Sequence, residues 1–210
     1  MKKIGGILIL LGLVVVWIPF LWHFYLQYKQ QSLYRDYYQH VIKMEKQKEV
    51  VGQENLEGEE GQVSEENQEE KTENVMVSDG EVIGKITIKK AGIDLILLEG
   101  AGDKELKIGA GHMRDTAYPG EVGNCVVAGH RNYTFGSMFN RLDEVEIGDE
   151  VNIEFEGSDY TYKVEEIEIV KPDEVSVLKQ SEIEKELTLV TCHPVYTGTH
   201  RLIIRGKLEE

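Results

Sequence analysis

The longest apolar run comes first in the chain. From Ile4 to Leu26 it reads IGGILILLGLVVVWIPFLWHFYL, 23 residues without a formal charge, opened by Lys2 and Lys3 and closed by Lys29. At about 1.5 Å of rise per residue, a helix of this length crosses a hydrocarbon core of about 30 Å. A cleaved secretory signal needs small residues near its end. Here Trp17, Pro19, Phe20, Trp22, Phe24 and Tyr25 occupy that place, in the manner of an interfacial aromatic belt. The pattern predicts a retained single-pass signal anchor over residues 4–26, with residues 1–3 as a short tip. Basic residues flank both sides, so charge alone leaves the orientation open. Leu26, Leu33, Tyr37, Val41 and Met44 then recur at helical spacing and predict an amphipathic stalk over residues 27–44.

The pattern changes abruptly after the stalk. Residues 45–73 hold eleven Glu against three Lys, no aromatic residue and few aliphatics. Such a stretch cannot bury enough apolar surface to offset its ordering entropy, so residues 45–78 are expected to form a disordered, self-repelling linker. From residue 79 to 210, short runs rich in Val, Ile and Tyr alternate with Gly, Asn and Asp turns: VIGKITI, DLILLEG, NCVVAGH, EVNIEF, YTYKVEEIEIV, ELTLVTC and RLIIRG. Several have period two, as in Val151 to Phe155 and Tyr160 to Val164, which marks half-buried antiparallel strands. Seven or eight strands at this spacing suggest a closed barrel or a sandwich. Helical patterns are confined to the stretches around Ser137 to Glu144 and Asp173 to Lys179.

Charge and cysteine content narrow the function classes. The net charge is −15, and residues 79–210 alone carry 26 acidic against 15 basic side chains. This opposes a phosphate-binding surface, whose affinity comes from clustered Lys and Arg. Two cysteines among 210 residues are too few for a disulfide scaffold or a cysteine-rich zinc site.

One of those cysteines sits where chemistry is possible. Cys192 ends the apolar strand Leu187 to Thr191, a polar loop from His193 to His200 follows, and Arg201 opens the strand Leu202 to Ile204. If the two strands pair as a hairpin, Cys192 and Arg201 become neighbours. His130 likewise stands just past the strand Val126 to Ala128. Thiol, imidazole and guanidinium on one rim supply a nucleophile, an acid/base and an oxyanion stabiliser. Taken singly, each has a plainer explanation: a small buried hydrophobe or a partner bridged to Cys125, a turn histidine, a solvated surface arginine.

Joint occurrence decides between the two explanations. Leu187-Thr188-Leu189-Val190-Thr191-Cys192 resembles the TLxTC signature of the sortase family of cysteine transpeptidases. Val127-Ala128-Gly129-His130-Arg131 resembles that family's catalytic-histidine segment, and Arg201-Leu202-Ile203-Ile204 its essential-arginine segment. Residues 82–88 resemble the first barrel strand. Gly109 to His112 and Tyr118 to Asn124 resemble the approach to the histidine. The resemblance covers nearly all of residues 80–208. It implies a mainly β fold, a closed eight-stranded barrel with short helices over residues 79–210, preceded by one transmembrane helix whose N-terminus is cytoplasmic. It also implies a reaction. Cys192 would attack the Thr carbonyl of an LPxTG-like sorting signal on a secreted protein, forming a thioacyl-enzyme, and an amine of a peptidoglycan precursor would resolve it. His130 would carry the proton and Arg201 the developing oxyanion, while Thr191, Ala128 and His193 are candidate substrate-binding residues. His193 and His200 remain rival acid/base candidates, and His112 is expected to line the barrel or its rim. Cys125, five residues before His130, is expected to face the other side of its strand as a buried free thiol.

No cofactor is required by this chemistry. Calcium stimulates some sortases, and Asp173, Glu174, Glu182, Glu184 and Glu186 would permit it here, although acidic loops are ordinarily just solvated. The strings around His130 and Cys192 look like class D or class E. Two other functions compete: a non-catalytic sortase-fold binding module, and an L,D-transpeptidase, whose S-H-G-C type string is absent from residues 1–210.

Overall fold

The computed structural model describes residues 17–18, 21, 24–25, 28–39, 41–42, 78–131 and 138–209. Most of the expected anchor and all of the acidic run at 45–73 lie outside the described residues. Trp17, Ile18, Leu21, Phe24 and Tyr25 are described, and they are helical and exposed. Among the described residues no helix is long and apolar enough to cross a membrane.

Alternation of apolar and polar positions builds the rest. The strands are β1 (Val82–Ile88), β2 (Ile93–Glu99), β3 (Ala110–His112), β4 (Gly123–Ala128), β5 (Glu150–Phe155), β6 (Ser158–Val170), β7 (Lys185–His193) and β8 (His200–Leu208). They close into a barrel in the order β1-β2-β3-β4-β7-β8-β6-β5. In β7, Leu187 and Leu189 point into the core; in β8, Leu202 and Ile204 do; in β4, Cys125 and Val127 do. The intervening side chains face outward, as the two-residue period of a strand requires. The two stretches with helical patterning are realised as single 3-10 turns, Leu142–Glu144 and Val175–Leu178.

The antiparallel expectation holds for β5 with β6, whereas β2 with β3 and β4 with β7 run parallel. Parallel pairing leaves its mark on β4, where Gly123 to Val127 are all buried, because strands covered on both faces read as continuous apolar runs. The outer cover is the β6–β7 connection. Asn124 Nδ2 donates to the Val177 and Lys179 carbonyls at 3.1 and 3.3 Å, and the Gln180 side chain bonds both the N–H and the carbonyl of Asn124. Thr188 Oγ1 completes the set by donating to Asn124 Oδ1 at 2.8 Å.

The described helix, residues 28–39 with 41–42, lies against the outer wall of the barrel: Tyr34 reaches β5 and Tyr37 the β5–β6 turn. Inside the barrel, beside Val127 of β4, His112 lies buried with Nδ1 at 2.9 Å from Glu99 Oε2, and its ring stacks on Tyr118. This residue lines the barrel interior, as its position in the sequence suggested.

The core makes a quantitative prediction. Leu189 is fully buried and Val175 is 69% exposed, so Leu189→Ala is expected to cost about 2–5 kcal/mol and Val175→Ala less than about 0.5 kcal/mol, measured by urea unfolding of the two variants side by side.

Candidate active site

Two strand pairings deliver the candidate residues to one place. In the β7–β8 hairpin, Cys192 stands directly opposite Arg201. Opposed residues of an antiparallel pair share a face, and for this pair it is the outer face, since Leu189 and Leu202 point inward. In the parallel pair, Ala128 is in register with Val190, and on each strand a single further residue, Gly129 or Thr191, precedes His130 and Cys192. The extension is held by hydrogen bonds: Gly129 N–H donates to the Val190 carbonyl at 3.1 Å, and Thr191 Oγ1 donates to the Gly129 carbonyl at 2.7 Å. Residues 62 apart in sequence are thereby fixed beside each other. The structure thus brings His130, Cys192 and Arg201 to one end of the barrel.

Gly129 has a steric reason to be glycine. A Cβ at this position would meet the Phe139 ring at 2.4 Å, well inside van der Waals contact, and Phe139 is fully buried. The ring wedges under the turn, and Phe139 N–H donates to the His130 carbonyl at 3.0 Å. Packing and a backbone bond therefore fix where His130 leaves β4.

The loop after Cys192 folds back over the thiol. At Gly198, where φ is +58°, a Cβ would lie 3.8 Å from Cys192 Sγ. Arg201 Nη1 donates to the Gly198 and His200 carbonyls at 3.0 and 2.9 Å. One guanidinium nitrogen thus holds the loop while Nε and Nη2 make no other contact among the described residues. That leaves them to a substrate oxygen, and arginine suits this task because it stays charged.

Thr191 is buried and spent on Gly129, so its side chain supports the site from behind. Ala128 and Val190 are half-buried on the outer face and form an apolar floor leading to Cys192. His193 and His200 pair with each other one position beyond Cys192 and Arg201, so their side chains leave from the opposite face of the ribbon. His193 is further committed, since Arg131 Nη1 faces its Nδ1 at 3.1 Å. A guanidinium can only donate, so Nδ1 is the acceptor in this contact. Neither side chain therefore shares the face of the ribbon on which Cys192 stands.

Arg131 was quoted in the sequence only as the residue after His130, and its own role escaped notice. Its side chain is 5% exposed, with Nη2 at 2.7 Å from Asp143 Oδ2 and Nε donating to the Asn140 carbonyl at 3.2 Å. It therefore ties the segment after β4 to the last residue of β7. The available signal was its position: a charge between His130 and a core-forming segment must be paired if it is buried.

The carboxylates considered for calcium do not converge. Glu174 Oε1 accepts from Ser176 N–H at 3.2 Å and Glu184 lies 3.5 Å from Lys207. Among the described residues no three His, Cys, Asp or Glu side chains gather closely enough to hold a metal ion. A cleft of about 460 Å³ between Asn124, Gln180, Glu186 and Lys207 occupies the same outer face. It sits six residues back along β7, roughly 20 Å from Cys192, too far to be the reaction centre.

Residues 86–209 match the sortase domain family. The chain belongs to the sortase family. It is 34% identical over 131 residues to Sortase D of Bacillus subtilis (strain 168), covering 61% of this chain and 64% of that protein. To Sortase A of Streptococcus agalactiae serotype III (strain NEM316) it is 33% identical over 135 residues, covering 61% of this chain and 53% of the relative. The match therefore spans less than two thirds of either relative. Among solved structures, the Clostridium perfringens Sortase D5 transpeptidase superposes with a TM-score of 0.60 at 34% identity, over 69% of this chain and 90% of that one. For this sortase, the two thiols differ sharply. Both are free, Cys192 half-buried and Cys125 only 1% exposed, and burial pushes the Cys125 thiol far above the ordinary range.

Two experiments follow from this geometry. A thiol reagent near neutral pH is expected to modify one cysteine per folded chain, Cys192, and both in denaturant; modification of Cys125 in the native protein would contradict the buried assignment. Gly129→Ala, which drives the chain against Phe139, is expected to lower peptide-cleavage kcat at least tenfold by displacing His130, while the Cys192 thiol stays reactive in the same labelling assay.

Proposed function

We propose that this sortase is a membrane-anchored transpeptidase that cleaves an LPxTG-like sorting signal between Thr and Gly and joins the upstream protein to an amine of a peptidoglycan precursor. The observation that carries this reading is the joint placement of Cys192 opposite Arg201 and, through Gly129, beside His130. Each residue then has one task. Cys192 sulfur bonds to the Thr carbonyl carbon, and the negative charge that develops on the carbonyl oxygen is met by Arg201 Nε and Nη2. As the Thr–Gly C–N bond breaks, His130 gives a proton to the departing Gly nitrogen. The incoming amine loses its proton to His130 as it attacks the thioester, and the C–S bond breaks to restore the Cys192 thiolate beside a protonated His130. The thiolate rather than the thiol is the attacking species, which is why an imidazole and a fixed cation beside Cys192 suit this chemistry.

The apolar floor of Ala128 and Val190 supports an aliphatic residue upstream of the scissile bond, and the loop at Gly198 closes over it. The proposal uses no metal or cofactor. A class D-like assignment is supported by the likeness to Sortase D and to the Sortase D5 transpeptidase. The anchor is residues 4–26, with the N-terminus in the cytoplasm and the barrel outside. The partners are secreted proteins bearing the signal, the acceptor amine and the membrane, and no nucleic acid.

A peptide library cleaved by the full chain in detergent tests this assignment. LPxTG-type peptides are expected to be cut after Thr, with Cys192→Ala inactive and His130→Ala and Arg201→Ala each reduced at least a hundredfold in kcat/KM. Cleavage of muropeptide stems instead, or activity retained by Cys192→Ala, would overturn it. A folded chain that binds these peptides without cutting any of them would show a binding module.

A further inference from the structure

The helix of residues 28–42 is fastened to one wall of the barrel in a definite direction. Tyr34 Oη donates to Glu154 Oε2 on β5 at 2.6 Å, and the Lys85 ammonium on β1 sits 5.3 Å from the Tyr34 ring centre. One turn further on, Tyr37 Oη accepts from Glu156 N–H at 2.9 Å in the β5–β6 turn. Val41 beyond it is 4% exposed. Burial and the Glu154 carboxylate raise the Tyr34 phenol well above its ordinary range, and burial pushes Tyr37 up to about 12, so both act as neutral hydroxyls. Toward its start, Gln30 and Gln31 line a cleft whose far wall includes Gly92, Ile93 and Met138.

These contacts can be placed along the barrel axis. The β5–β6 turn, Phe155 to Ser158, lies at the end where β1 begins. Gly92 and Ile93 lie at the other end, where β1 finishes, and Met138 adjoins Phe139, which bonds His130. The helix therefore runs from the His130 and Cys192 end, at residues 30–31, to the opposite end, at residues 37–41. The segment read as the membrane anchor ends at Leu26, four residues before Gln30 in the sequence.

We propose that this docked helix holds the barrel with its catalytic rim facing the bilayer, so that the sortase meets substrates at the membrane surface. The inference rests on the anchor reading given above. It gives the stalk a different job from a loose tether: its contacts run down the barrel wall to the end at which β1 begins. A sorting signal still held in the bilayer, and an amine acceptor carried on a lipid, would both present their reactive groups to the side on which Cys192 lies.

The test uses the full chain in phosphatidylcholine–phosphatidylglycerol vesicles containing nitroxide-labelled lipid. One fluorophore is attached through a new cysteine in a Cys192→Ala background, either Ile147→Cys on the catalytic rim or Ser158→Cys at the far end, both exposed. Lipid quenching at position 147 is expected to exceed that at 158 at least threefold, and Tyr34→Ala with Tyr37→Ala is expected to abolish the difference. Equal quenching at the two positions, stronger quenching at 158, or a difference that persists in the double variant would overturn the orientation. A chain that fails to float with the vesicles would overturn the anchor reading itself, so the two failures are distinguishable.

Discussion

The structure depends on the parallel pairing of β4 with β7. Six residue pairs, Gly123 with Lys185 through Ala128 with Val190, align two strands that end at the same rim. Their last residues deliver the candidate proton carrier and the candidate nucleophile. No local pattern can do this, because the strands are more than sixty residues apart and the loop-closure entropy is recovered only when the barrel shuts. Thr191 and Gly129 extend the alignment past the ladder, and the Phe139 wedge stiffens the turn. The β7–β8 hairpin then adds Arg201 at no further topological cost, since antiparallel neighbours are joined by a loop.

The chemistry is built on the outside of the barrel, and that choice shapes the remaining polar contacts. Interior positions of β4, β7 and β8 are given to Cys125, Val127, Leu187, Leu189, Leu202 and Ile204, so the core can be close-packed without accommodating a substrate. The outer face must then be walled by connections. Asn124 and Gln180 strap the β6–β7 connection over the far half of β7, and Arg201 ties down the β7–β8 loop at the near half. Arg131 pins the segment after β4 through Asp143 and His193. Each of these straps runs from a side chain to a neighbouring segment, which fixes the loops without enlarging the core.

Much of this was legible in the sequence because period-two alternation and turn residues survive without tertiary information. β1 and β5 have the expected bounds, and β2, β4, β6, β7 and β8 differ by one or two residues. β3 escaped because it has three residues, two of them Ala and Gly, too few to show a period. The parallel pairings escaped because alternation does not reveal strand direction. The pairing of Cys192 with Arg201 was expected from a hairpin across the His193 to His200 loop, and the structure forms it. The exclusion of His193 needed a contact with Arg131, and the docking of the helix needed Tyr34 and Tyr37 to meet β5, both long-range facts that spacing cannot carry. The amphipathic pattern of Leu33, Tyr37 and Val41 did show that one face of that helix had to be covered.

The central claim is that Cys192 forms a covalent acyl bond with the peptide. Intact-mass spectrometry of the full chain incubated with an LPxTG-type peptide and no acceptor amine reads this directly. The expected result is an adduct of the peptide fragment ending at Thr, mapped to Cys192 and lost on adding a small amine. Cleaved peptide with no adduct on Cys192 during turnover, or an adduct mapped to Cys125, would contradict it.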